Sequence, residues 1–146
     1  MKEKNNSFRV FIDTNVLISA MISETSISRY LLLLLSEKHH LIICSYTLSE
    51  VSQVLIKRFP NKVAAWDKML VALDFELAYT PTDLTKINTP YIRDEKDLPI
   101  LASAIIAQPD ILVTGDYDFH THEIREHFAV YTPSEFIQYF GNLHSD

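Results

Sequence analysis

One cysteine, two glycines and no apolar run long enough to span a bilayer mark this 146-residue chain by what it lacks. The lone cysteine, Cys44, excludes an intramolecular disulfide and fits a reducing compartment. Hydrophobic residues make up 47% of the chain, enough to close one core without such staples. With only Gly115 and Gly141, and no repeat or low-complexity segment, a flexible hinge between domains is not expected. The greasiest run, Leu31 to Leu35, is far too short to cross a membrane. The opening MKEKNNS is polar and has no apolar stretch of signal-peptide type behind it. These features set the expectation of a cytoplasmic domain without membrane contact: a polar tail over 1–7, a single domain over 8–141 and a short tail over 142–146. Positive charge is also scarce, with 13 Lys and Arg against 19 Asp and Glu, a net charge of −6. That balance counts against nucleic-acid binding, which draws on phosphate contacts. The objection weakens if several acids gather where metal cations are held.

What is present is an alternation of short apolar strands and helical stretches. Residues 8–12, 41–44, 77–79, 111–113 and 128–131 are β-branched, aromatic or aliphatic runs that read as strands. Between them, 15–22, 26–38, 46–58, 61–73 and 98–107 carry apolar residues at helical spacing. The last of these is apolar nearly all round and is expected to be buried. Thr132-Pro133-Ser134-Glu135 has the form of a capping box, and Thr80-Pro81-Thr82-Asp83 is a weaker version. Alternating strand and helix predicts an α/β fold, a three-layer α/β/α sandwich around a mostly parallel sheet.

In such a sheet, ligands bind at the carboxyl ends of the strands. Asp13 follows the first strand directly, and Asp116 follows the fourth through Thr114 and Gly115, with Asp118 two residues on. Gly115 is read as the residue that permits a tight turn and a close backbone approach. Ser45 is read as the cap of the helix that holds Glu50. Asp94 and Asp97 precede the apolar helix, with Asp97 at its N-terminus and Pro99 tolerated in its first turn. Carboxylates converging in one cleft repel one another unless a proton or a cation intervenes. An all-oxygen set suits Mg²⁺ or Mn²⁺ better than Zn²⁺, and phosphodiester hydrolysis is the chemistry it fits. Each acid alone is equally a helix cap or an Asx-turn residue, and spacing does not decide between the two.

Four segments resemble the motifs of PIN-domain (PilT N-terminus) nucleases. They are Val10-Phe11-Ile12-Asp13-Thr14-Asn15, Cys44-Ser45-Tyr46-Thr47-Leu48-Ser49-Glu50-Val51, Arg93-Asp94-Glu95-Lys96-Asp97 through Ala104, and Val113-Thr114-Gly115-Asp116-Tyr117-Asp118. They occur in the family's order and span about residues 8–135. The resemblance implies a PIN-like, five-stranded sheet of order 3-2-1-4-5 and Mg²⁺- or Mn²⁺-dependent ribonuclease activity. Carried over by position, Asp13, Glu50, Asp97 and Asp116 form the catalytic and metal-binding quartet. Asn15 and Thr114 support it, and Asp94 and Asp118 stand beside it. The likeness is greatest to toxin-like bacterial and archaeal members, many of which are neutralised by an antitoxin, so an RNA substrate and an antitoxin partner are implied. Leu98-Pro99 departs from the pattern, where relatives often carry a polar residue and no proline.

Other residues attract weaker readings. His120 and His122 lie two apart in a predicted loop without a third soft ligand nearby, a poor zinc site. His39 and His40 are placed at a helix C-terminus, where positive charge is favoured. Five successive leucines cannot all face inward, which leaves apolar surface for a homodimer or an antitoxin. Candidate RNA contacts are Arg29, Lys57, Arg58, Arg93, Lys96 and Arg125. The competing reading is a PIN-like binding or scaffold module that has lost catalysis, against which stands the presence of all four acids. A receiver or phosphatase built on Asp13 lacks the further acids and the lysine that those proteins need.

Overall fold

The computed structural model describes residues 7–141. The expected tails therefore fall, apart from Ser7, outside the described residues. Five strands form one sheet: β1 (Arg9–Ile12), β2 (His40–Cys44), β3 (Phe75–Ala78), β4 (Ile111–Val113) and β5 (Ala129–Tyr131). Their order is β3-β2-β1-β4-β5. Every pairing is parallel, so the sheet is wholly rather than mostly parallel.

The three central strands, β2, β1 and β4, are largely buried on both faces, and their side chains alternate between two cores. Val10, Ile12, Leu41, Ile43, Ile111 and Val113 enter one core. Phe11, Ile42, Cys44 and Leu112 enter the other. Two-sided burial removes the polar half of the alternation, which is why these segments read as unbroken apolar runs. The first core is covered by α1 (Thr14–Ile22), α2 (Ile27–Lys38), α3 (Ser45–Arg58), α4 (Val63–Ala72) and α7 (Pro133–Phe140). The second is covered by α5 (Leu98–Ala107), the one-turn α6 (His122–Arg125) and Phe119. The result is the three-layer α/β/α sandwich. Among the described residues no single helix is long and apolar enough to cross a membrane.

Local details follow the sequence in some places and correct it in others. Thr132 and Glu135 close a capping box at α7, and Ser26 caps α2 through the Arg29 amide. Of the leucine run, Leu31, Leu32 and Leu35 are buried while Leu33 is 48% exposed. Thr80-Pro81-Thr82-Asp83 starts no α-helix; Asp83 caps a single 3-10 turn, Leu84–Lys86. The Thr80 hydroxyl instead takes the Tyr46 amide at 3.1 Å and the Ser103 hydroxyl at 2.8 Å, tying α3 to α5. Ser45 does not cap α3 either: Cys44 holds the cap position, and Ser45 Oγ accepts the Thr80 amide at 3.0 Å. His39 ends α2, but burial pushes its pKa down and favours the neutral ring, so desolvation outweighs the helix dipole there. With glycine so scarce, Gln108 closes α5 in the left-handed region at φ 52°.

The topology fixes where a ligand can enter. From β1 the chain passes to α1 on the first face, and from β4 to Phe119 and α6 on the second. These adjacent strands therefore part at their carboxyl ends, leaving the crevice in which open parallel sheets bind ligands.

Candidate active site

Asp13 emerges from β1 into this crevice and caps α1. Its Oδ1 accepts the Asn15 amide at 2.7 Å, and its Oδ2 accepts the Thr114 hydroxyl from the end of β4. Only 4% of Asp13 is exposed, and Thr114 is fully buried. The Thr114 oxygen also accepts the Asp116 amide at 3.0 Å. One hydroxyl thus locks the loop after β4 to the acid after β1. Burial pushes the Asp13 pKa up and the Asp116 charge adds to this, while the Thr114 and Asn15 hydrogen bonds oppose it.

Three further carboxylates gather in front of Asp13. One oxygen each from Asp97, Asp116 and Asp118 lies within 4.8 Å of the others. Asp116 spends Oδ1 on the Asp118 amide at 2.9 Å, as the cap of the Tyr117–Phe119 turn. Asp97 holds the cap position of α5 but makes no capping bond. The local sequence supplies the reason. A capping side chain takes the amide two or three residues on from an extended backbone. Pro99 has no amide to give, and Asp97, which ends the preceding 3-10 turn, is itself helical at φ −86°, ψ −7°, so its side chain does not take the Ile100 amide either. Asp97 Oδ2 is left buried without a hydrogen-bond donor, one of two such side-chain atoms among the described residues. Its neighbour is the Asp116 carboxylate, and two carboxylates can share a hydrogen bond only when one holds a proton. Desolvation first, then that contact and the charges of Asp116, Asp94 and Asp13, raise Asp97 from 3.8 to about 7.

The remaining predicted residues are placed around this centre. Glu50, half-buried on α3, is hydrogen-bonded to Tyr46 one turn earlier. Burial, Glu50 and the charge of Asp97 push the Tyr46 phenol up to about 12. Tyr46 was not singled out from sequence, although its place four residues before Glu50 was the available signal. Asp94 caps the Glu95–Asp97 turn through the Lys96 amide at 3.0 Å and acts on Asp97 through its charge. Asn15 is exposed on the first turn of α1 and offers Asp13 its backbone amide. Gly115 has no positive φ, and an added Cβ would meet nothing within 4 Å, so the turn itself does not require glycine. His120 donates from Nε2 to the Thr114 carbonyl at 2.9 Å and accepts Arg125 Nη2 on Nδ1 at 3.2 Å. It braces the loop rather than joining the acids. His122 pairs with Glu126 at 3.2 Å.

The donor set fits a small, hard divalent cation. Oxygens bound to one Mg²⁺ lie up to about 4 Å apart, twice the metal–oxygen distance. The Asp97 and Asp116 oxygens, within 4.8 Å of each other, reach that separation with at most slight side-chain movement. The orphaned Asp97 Oδ2 is the atom such an ion would satisfy.

The fold has known counterparts. It superposes with a TM-score of 0.63 at 18% identity on the crystal structure of VapBC2 from Rickettsia felis bound to a DNA fragment from their promoter, covering 84% of this chain and 97% of that one. DNA-bound VapBC from Salmonella typhimurium gives a TM-score of 0.62 at 16% identity, covering 86% of this chain and 98% of that one. No curated protein sequence matches the chain. The PIN domain family does match, over residues 9–118. That span takes in Asp13, Glu50, Asp94, Asp97, Asp116 and Asp118, and the chain belongs to the PIN domain family.

Proposed function

We propose that this protein is a Mg²⁺- or Mn²⁺-dependent ribonuclease and the toxin of a toxin–antitoxin pair. The observation that carries the reading is the cluster of Asp97, Asp116 and Asp118, one oxygen of each within 4.8 Å of the others, with Asp97 Oδ2 buried and unsatisfied. Such a cluster costs stability unless a cation or proton lies between its members. Family membership supports nuclease chemistry. The likeness of the four motifs to toxin-like members, and of the fold to two VapBC structures, supports the toxin role and an antitoxin partner.

In this mechanism Asp97 would hold the ion through its unsatisfied Oδ2, and Asp116 through the oxygen it does not give to the Asp118 amide. Asp13 acts from behind, adding negative charge and fixing Thr114, which in turn fixes the Asp116 amide. Glu50, held by Tyr46, orients the attacking water and takes its proton. When bound, the ion supplies charge neutralisation at the phosphoryl oxygens and lowers the pKa of water. Water adds to phosphorus in line, the bond to the 3′ oxygen breaks, and that oxygen takes a proton from solvent water, leaving 5′-phosphate and 3′-hydroxyl ends. Purified protein should cleave RNA in Mg²⁺ or Mn²⁺ and stop in EDTA, and Asp116→Asn should lose at least about a hundredfold in rate. Equal cleavage by wild type and Asp116→Asn, or full activity in EDTA, would reject the reading.

A further inference from the structure

A polyanion approaching six carboxylates needs a positive handle, and the chain has few to offer. Among the basic candidates, Arg29 is spent on the Ala20 carbonyl at 2.8 Å, Arg58 lies over the Phe59 ring, and Arg125 is turned to His120. Arg93 is placed differently. Its Nε and Nη2 each donate to Asp118 at 2.9 Å, one to each oxygen. The guanidinium is also within electrostatic reach of Asp94 and Asp116. Its side chain is 72% exposed against 18% for Asp118, and an ion pair so open to water adds little to stability. What the fork does provide is orientation. With two N–H groups on Asp118, three of the five point elsewhere.

The same bridge joins two loops that each carry an exposed aromatic ring. Tyr91, two residues before Arg93, is 75% exposed, and Tyr117, next to Asp118, is 74% exposed. Beside Asp116, the missing side chain of Gly115 leaves open space. The Tyr117 ring meets His120 on one side, centroids 5.1 Å apart, and is open on the other. Exposed tyrosine rings beside an oriented guanidinium are the elements of a single-strand platform, with bases stacked and the backbone held by charge.

We propose that Arg93 is a phosphate clamp for a single-stranded RNA substrate, that Tyr117 and Tyr91 stack its bases, and that Asp118 positions Arg93 instead of ligating the ion. This rests on the ribonuclease reading above. The test follows cleavage of a single-stranded RNA in Mg²⁺ across a salt series, together with Mn²⁺ affinity by calorimetry, for wild type, Arg93→Ala, Arg93→Lys, Tyr117→Ala and Asp118→Asn. Arg93→Ala should raise KM about tenfold with kcat within about twofold, and flatten the log affinity against log salt slope by about 0.7. Arg93→Lys should restore the slope but only part of the affinity, because a point charge lacks the fork. Tyr117→Ala should weaken binding about tenfold with an unchanged slope. Arg93→Ala and Asp118→Asn should both bind Mn²⁺ within a few-fold of wild type. The clamp is overturned if Arg93→Ala keeps the wild-type KM and slope while wild type cleaves normally. Asp118 is a ligand after all if Asp118→Asn loses as much Mn²⁺ affinity as Asp97→Asn. A wild type that cleaves no RNA would sink the ribonuclease reading and the clamp with it.

Discussion

In the metal-free protein, raising the pH from about 5 to about 8 should weaken the fold, and Asp97→Asn should remove much of that loss. Asp97 ionises near 3.8 in the unfolded chain and near 7 in the folded one. Between those values the folded state holds a proton that the unfolded state has released. Stability is therefore full below about 3.8, falls as pH rises, and the cost is complete above about 7. At about 1.4 kcal/mol per pK unit the raised value corresponds to about 4 kcal/mol. Water reaches the half-buried group, and screening reduces this to on the order of 1–2 kcal/mol. For a domain of this size that is a fall in Tm of about 3–7 °C. The assay is thermal unfolding in EDTA across the pH series for wild type and Asp97→Asn. Asp13 is raised in the same direction but remains in both proteins, so the difference between them isolates Asp97. Saturating Mn²⁺ at about pH 7.5 should restore the wild type by a further few kcal/mol and the variant by much less. Parallel pH curves for the two proteins in EDTA would refute the reasoning.

Three other changes test the supporting structure. Pro99→Ala returns an amide to the first turn of α5, so Asp97 should cap the helix; stability should rise by about 0.5–1 kcal/mol in urea unfolding while Mn²⁺ affinity falls several-fold by calorimetry. Thr114→Val leaves the buried Asp13 oxygen and the Asp116 amide without a partner and should cost about 1–3 kcal/mol in urea unfolding, whereas Thr114→Ser should cost less than about 1 kcal/mol. Gln108→Gly relieves a left-handed residue at the end of α5 and should raise stability by about 1 kcal/mol, measured as an increase in the urea midpoint.

The fold was legible to the extent that burial imprints a pattern. Runs such as Phe11-Ile12 and Ile42-Ile43 are apolar at every position because both faces are covered, and alternation with helices implies parallel pairing. The strand order came from the family resemblance, not from periodicity. Around the crevice, the position of Asp13 and Asp116 after strands and of Asp97 at a helix start was legible. Which oxygens meet was not legible, because that depends on which amides each carboxylate caps. Pro99 looked like a departure from the family pattern, yet it withholds one of the two amides that Asp97 could have capped. Ser45 and Thr80 misled because hydroxyls that local sequence assigns to caps are spent between α3, α5 and the loop after β3. The Arg93–Asp118 bridge spans 25 residues, and no local pattern announces it.

The most direct test is a crystal grown with Mn²⁺ and measured at the manganese absorption edge. An anomalous peak should lie about 2.1–2.2 Å from one oxygen each of Asp97 and Asp116, with Asp97 Oδ2 no longer orphaned. A peak elsewhere on the chain, or none at millimolar Mn²⁺ with the two carboxylates still in contact, would contradict the assignment of this crevice as a metal centre.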